Sequence, residues 1–258
     1  MILRAALGTV RRRALCSLHR RIVPLGRRGP IVSFAFDDFP RTAYTIGGSI
    51  LRSFGVRGTY YAAVGLMNTS NDLGEQFRAD DLQALVSNGH ELAGHTFSHI
   101  SSSSVPLLAF RQDVKKGQQA LHQITGITPS ANFAYPYGAV TLAAKKALGE
   151  EMMSCRGIYG GVNGPDLDLN LLRANSLYGD IDRLTRVQEL ISQNEKRKGW
   201  LIFYTHDVQD HPSRYGCTPA LLEAALSAAI RGGSKISTVA ELVSEMQPQC
   251  PMPETVEE

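Results

Sequence analysis

The sequence holds few of the features that would place it in a specialised class. No window of eighteen uninterrupted apolar residues occurs, so no membrane-spanning helix is expected. The four cysteines, Cys16, Cys155, Cys217 and Cys250, show no CxxC spacing and read neither as a zinc cluster nor as a redox pair. Free thiols in a reducing compartment are the simplest expectation for them. No internal repeat and no low-complexity linker divides the chain. Acid is missing from the first thirty residues, which carry eight arginines (4, 11, 12, 13, 20, 21, 27 and 28). Taking these eight from the 27 basic residues leaves 19 against 24 acids over 31–258, a body of −5. By charge, that body is no nucleic-acid binder. The basic arm itself lacks the unbroken apolar core of a secretory signal, because RRR interrupts it. It reads as an Arg-rich amphipathic helix packed on the domain or resting on an anionic membrane surface. The corresponding expectations are residues 1–30 as arm, 31–246 as one catalytic domain and 247–258 as a solvated tail. The location expected is cytoplasmic, with peripheral contact to the inner face of a membrane.

Short apolar runs alternate with helical periodicities throughout 31–246. About eight strands and as many helices follow one another in β-α order, which argues an α/β fold with a parallel sheet, either open or barrel-like. The most informative strand is Ile31–Pro40, IVSFAFDDFP. Six largely apolar residues run into Asp37 and Asp38, at the sheet edge where α/β folds place their chemistry. Alone, Asp-Asp-x-Pro is also good turn chemistry.

Three later stretches share this arrangement. In GHELAGHTFSHIS, His95 and His99 lie four apart, a spacing that can bring both imidazoles to one metal ion, with Asp38 as a candidate third ligand. Thr96 and Ser98 are natural supporting groups, and His90 reads as structural or exposed. In NFAYPYGA, Pro136 and Gly138 fix a sharp turn that can aim the Tyr137 backbone N–H into a pocket as an oxyanion donor. In WLIFYTHDV, a buried strand ends in His206, a group able to donate a proton near neutrality. His211 reads as solvated.

Taken in order, FDD, HTxxH, PYG and a strand-end histidine resemble the polysaccharide deacetylases of the NodB-homology type, carbohydrate esterase family four. The likeness covers about residues 31–245. It implies a distorted, incomplete (β/α) barrel, a divalent metal ion, most commonly zinc, and hydrolysis of an acetyl group from an acetylated oligo- or polysaccharide. The metal would lower the pKa of its bound water and polarise the acetyl carbonyl. By the same resemblance Asp37 is the catalytic base, Asp38, His95 and His99 are the metal ligands, and Tyr137 supplies the oxyanion N–H. His206 is the general acid, while Leu201 and Phe203 fall near the apolar wall around the acetyl methyl. An O-acetyl esterase or deformylase acting on a lipid-linked sugar is the alternative chemistry, and a silent carbohydrate-binding domain the alternative class.

The chain departs from the family pattern at three places. Phe39 stands where a glycine usually follows the aspartates, and a ring there is expected to narrow the mouth of the site. Ala134 stands where an arginine usually precedes PYG and steadies the base. The Asp-and-Trp motif is not recognisable. Arg173 is the expected substitute for the missing arginine, with Arg41 second, and Asp180 or Asp182 is expected to orient His206.

Overall fold

The computed structural model describes residues 13–246. The first twelve residues and 247–258, with Arg4, Arg11, Arg12, Cys250 and the expected tail, lie outside them.

Eight strands build one parallel sheet. In chain order the strands are β1 (Ile22–Pro24), β2 (Ile31–Asp37), β3 (Thr59–Ala62), β4 (Ser70–Asn71), β5 (Gly74–Glu75), β6 (Glu91–Gly94), β7 (Ser130–Ala134), β8 (Ser154–Arg156), β9 (Asp166–Asp168), β10 (Asn175–Ser176), β11 (Trp200–Thr205) and β12 (Lys235–Ile236). The main sheet runs β10-β11-β2-β3-β6-β7-β8, and β12 pairs with the start of β2. It curls into an incomplete (β/α) barrel. The open seam between β8 and β10 is crossed by the 157–174 segment, which touches β8 through a parallel bridge from Arg156 to Leu172.

The strands are apolar on both faces because both faces are covered. On β2, Ile31 and Ala35 join Tyr61, Ala93, Ala134, Trp200, Ile202 and Tyr204 in the barrel interior, closed below by Val239, Leu242 and Val243 of the last helix. The alternate residues Val32, Phe34 and Phe36 pack outward with Leu201 and Phe203 against Leu51, Leu82, Leu190 and Leu222 of the surrounding helices. Each such side chain, fully removed from water, contributes roughly 1.5–3 kcal/mol. The interior also contains a buried carboxylate, Glu91. It accepts from Thr59 Oγ1 at 2.8 Å, Asn132 Nδ2 at 2.7 Å and the Ala240 N–H at 2.8 Å, tying three strands to the last helix. Burial pushes its pKa up, against the pull of those bonds.

The helix after β2 opens as a π-helix over Ala43–Gly48 before becoming α over Ser49–Ser53. The stretch 160–170 contains β9, which pairs antiparallel with β1 of the arm. Leu15 and Leu25 are buried, and the Arg21 guanidinium donates to the carbonyls of Gly149, Met152 and Met153. Described residues of the arm are therefore part of the packed body. No described helix is long and apolar enough to cross a membrane. Cys16, Cys155 and Cys217 are free thiols, and burial pushes the last two up to about 12, which makes them poor nucleophiles.

Candidate metal and catalytic site

The carboxyl ends of β2, β6, β7, β8 and β11 meet at one edge of the barrel, and each delivers a polar group there. β2 delivers two. Asp37 is the last strand residue and points into the barrel with Ile31 and Ala35. Asp38 has left the strand with φ 57°, and its carboxylate faces His95 and His99. Thr96 (φ 61°), His99 (φ 52°) and Tyr137 (φ 58°) share that left-handed conformation. Non-glycine residues held there cost about 1–3 kcal/mol each and persist only where their surroundings over-determine them.

Those surroundings are visible for the HTFSH segment. Asp113, on the helix Leu107–Thr125, accepts from the backbone N–H groups of Phe97 and Ser98 at 2.9 and 2.8 Å and from Ser98 Oγ at 2.9 Å. Gly117 of the same helix lies so close that a Cβ there would meet the Thr96 carbonyl at 2.9 Å. The segment is thus clamped to the helix, and the clamp sets both imidazoles.

Asp38 Oδ1 lies 3.3 Å from His95 Nε2 and 3.0 Å from His99 Nε2, with all three groups within reach of one ion. His95 Nδ1 sits 2.7 Å from the Ala134 carbonyl oxygen. Its proton is therefore assigned to Nδ1, leaving a lone pair on Nε2. Asp38 Oδ1 is buried and has no hydrogen-bond donor. Lone pairs converging on a buried oxygen repel one another unless a cation lies between them, and one carboxylate with two imidazoles is a donor set suited to zinc. The residues fit a divalent metal. Burial raises the Asp38 pKa, yet the two histidines outweigh it and hold the carboxyl well below the usual range. The carboxylate is ionised whether the neighbouring positive charge is a proton or a metal.

Asp37 has a different partner. The Arg156 guanidinium, at the end of β8, forms a buried ion pair with Asp37 Oδ1. Arg156 is held between the rings of Tyr61 and Tyr204, at 4.7 and 5.2 Å from their centroids, and the facing anion keeps it firmly protonated despite its burial. This corrects the expectation for Arg173, which instead donates to the Gly160 carbonyl at 3.0 Å. Arg41 is also elsewhere, bound to Asp81 at 2.7 Å. In the β7–β8 register, Ala134 pairs directly with Arg156. The missing arginine has moved one strand across the sheet at the same height. The sequence carries its signal, since MMSCRG is a strand ending in a charge, the same pattern that singles out Asp37 and His206.

His206 completes the edge from β11, with Nε2 4.0 Å from Asp38 Oδ2. Its Nδ1 lies 3.2 Å from the Tyr215 carbonyl oxygen. Neither Asp180 nor Asp182 orients it. Asp180 accepts from Ile181 N–H and Thr218 Oγ1, and Asp182 pairs with Arg183 on the surface. The carbonyl is set by Asp207, which is fully buried and accepts from Ser213 N–H (2.8 Å), Ser213 Oγ (2.5 Å) and Gln209 Nε2 (2.9 Å). A Cβ at Gly216 would strike Asp207 at 2.3 Å, so only glycine lets the loop close on this carboxylate.

The remaining expected residues divide. The Tyr137 ring is 66% exposed and tilts over His99 at 4.5 Å between centroids, with Pro136 buried beneath the turn. Phe39 does not narrow the mouth. Its backbone is left-handed (φ 26°), where glycine is favoured, and its ring points down into the outer core, stacked on Phe77 at 4.5 Å and edge-on to Tyr60 at 5.3 Å. Leu201 and Phe203 are likewise turned away, packed among the helices on the far face of the sheet from Asp37. None of the three is placed to touch a substrate. His90 is buried and accepts from Gly58 N–H at 3.1 Å, a structural role.

The sequence pattern of the family described as polysaccharide deacetylase matches residues 26–152. No curated protein matches the chain. Similar solved structures include the family 4 acetyl xylan esterase from Clostridium thermocellum, solved in complex with a cobalt ion (TM-score 0.56, 18% identity, covering 84% of this chain and 91% of that one). The Xyl-CE4 domain of a multidomain xylanase from the hindgut metagenome of Trinervitermes trinervoides is similar at TM-score 0.54 and 20% identity, over 84% and 91%. A family 4 pseudoenzyme from Bacillus anthracis shares the fold at TM-score 0.54 and 12% identity, over 84% and 66%. At these identities the structures establish a shared fold, and the sequence match ties the first half, with both aspartates, both histidines and the PYG turn, to one family. Residues 26–152, the first half of the chain, belong to the polysaccharide deacetylase family.

Proposed function

We propose that the chain is a metal-dependent hydrolase that removes an N-acetyl group from an acetylated sugar. The observation that carries this reading is the division of labour between adjacent aspartates. Asp38 faces His95 and His99 with an unpaired buried oxygen, and Asp37 faces a buried arginine. A domain that only binds carbohydrate has no physical need for the second arrangement.

When bound by Asp38, His95 and His99, a divalent ion, zinc by the chemistry of the donors, supplies Lewis acidity toward the acetyl carbonyl and the attacking water. Asp37, oriented by its ion pair with Arg156, takes the water's proton as general base. The Tyr137 N–H donates to the oxyanion. His206, with Nδ1 turned to the Tyr215 carbonyl, presents Nε2 to the nitrogen of the departing amine and protonates it, without which an amine is a very poor leaving group.

The test is acetate release from N-acetylated chito-oligosaccharides by the full chain, with O-acetylated xylan oligomers run beside it. Release should be abolished by chelator and restored by zinc. Preference for the ester would make the chain an O-acetyl esterase. Zinc binding without release from any acetylated or formylated glycan would overturn the enzymatic reading.

A further inference from the structure

Two cavities away from the metal centre are each lined by three arginines. The first, about 440 Å³, sits beside the arm and holds Arg20, Arg173 and Arg197, but also Asp166 and Asp168. Asp168 already receives Lys145 Nζ at 2.7 Å and the Arg21 N–H at 3.1 Å. The two acids offset part of the arginine charge.

The second is a groove of about 550 Å³ whose walls include Tyr178, Arg183, Arg186, Leu190, Ser213 and Arg214. No acid lines it. Arg183 and Arg186 do have acidic neighbours on their own helix, Asp182 at 3.6 Å and Glu189 at 2.9 Å. Both pairs are exposed, neither acid lines the groove, and such pairs are worth little. Arg214 comes from the opposite wall, its guanidinium resting over the Tyr215 ring at 4.5 Å. The groove is of ligand size.

Its position matters as much as its charge. Tyr178 forms part of its wall, and that ring lies 6.0 Å from His206 and 5.9 Å from Tyr215. Ser213, another wall residue, is the group that ties the His206-holding loop to Asp207. The groove therefore begins where the general-acid side of the metal centre ends. A glycan bound with its acetyl group at the metal centre can continue over Tyr178 and Tyr215 into it.

We propose that this groove takes an anionic sugar next to the acetylated one, so that the natural substrate is an acidic glycan bearing a carboxylate or a phosphate. Guanidinium groups recognise both anions by paired, charge-assisted hydrogen bonds. The inference rests on the deacetylase reading for the place of the acetylated sugar, while the anion site itself can be tested without any deacetylation.

The probes are a tetragalacturonate, which has carboxylates and no acetyl group, a phosphate-bearing oligosaccharide of similar length, and neutral chitotetraose. Calorimetry on the zinc-loaded full chain should show at least one acidic probe binding. That affinity should fall about tenfold or more in R186E/R214E and in about 0.5 M salt. R173A, in the first cavity, should bind as the parent does. The acidic probe that binds more tightly identifies the anion. The milder R186A/R214A variant, with melting curves for both, separates lost binding from lost folding. Equal binding of acidic probes by parent and both variants, or no binding of either acidic probe, overturns the proposal. Arginine-dependent binding without acetate release from any glycan would leave the groove assigned and remove the deacetylase reading. Acetate release with no acidic preference would do the reverse.

Discussion

The two halves of the barrel bring equivalent chemistry to one edge and secure it differently. Residues 26–152, the half that matches the family, hold Asp38, His95, His99 and Tyr137 largely through the backbone: left-handed residues, an Asp113 that accepts from backbone N–H groups, and the close approach of Gly117. The other half holds Arg156 and His206 by side-chain means: two tyrosine rings around the arginine, and a loop pinned by Asp207. Backbone geometry leaves little freedom to substitute. Side-chain support can be rebuilt from a neighbouring strand, and here it has been. The supporting arginine has crossed from β7 to β8, and a neutral carbonyl stands where an acid was expected beside His206.

The largest effect should come from breaking the first half. His95→Ala or Asp38→Asn removes a ligand from a set of three, and acetate release should fall by about a thousandfold or more, with bound zinc lost in metal analysis. An Asp38→Asn protein that retains both zinc and turnover would show that the triad is not the metal site.

Next is Arg156. Arg156→Met leaves the Asp37 carboxylate buried without its partner, a loss of about 3–5 kcal/mol in stability by chemical unfolding. Turnover should fall about a hundredfold in kcat. Zinc content should remain, because the three ligands are untouched. Arg173→Ala, by contrast, should match the parent in turnover and pH profile. If the two variants behaved alike, the assignment of Arg156 as the residue that orients the base would fail.

The acid side is tested through its loop. Asp207→Asn weakens three hydrogen bonds that fix the Tyr215 carbonyl, and kcat should drop about tenfold while KM and zinc content change little. The melting temperature should fall with it, since Asp207 is fully buried. Loss of stability without loss of kcat in the folded fraction would make Asp207 structural only.

The same contrast explains what was legible in the sequence. The α/β class with a parallel sheet could be read from apolar runs alternating with helical periodicities, and the barrel only from the family resemblance. The Asp38, His95 and His99 cluster was legible because the two histidines lie four apart and Asp38 closes an apolar run. Arg156 was not, although its strand-end position was visible, because a partner 119 residues from Asp37 is chosen by sheet register, which sequence alone does not reveal. Phe39 misled for a related reason. Two residues after Asp37 in sequence, it follows the left-handed Asp38, and one such residue reverses the face on which the next side chain falls. Leu201 and Phe203 fail by the simple alternation of a strand. His206 continues the inward series of Trp200, Ile202 and Tyr204, so Leu201 and Phe203 must point outward.

The smallest effect asks how far the first half owes its rigidity to buried polar ties outside the site. Burial, reinforced by the positive charges of Arg52 and Arg57, pushes the His90 pKa down from 6.5 to about 4. The unfolded chain therefore binds this proton at a higher pH than the folded one. The contribution is fully present above about pH 6.5 and is lost as the pH falls toward 4, on the order of 2 kcal/mol across that window. His90→Gln, whose side-chain oxygen can still accept the Gly58 N–H, carries no such proton. Its melting temperature should fall less than the parent's between pH 7 and pH 4.5, with the catalytic edge unaffected. Parallel pH curves for the two proteins would place the acid sensitivity elsewhere, and the contrast between the halves would then lie in the site alone.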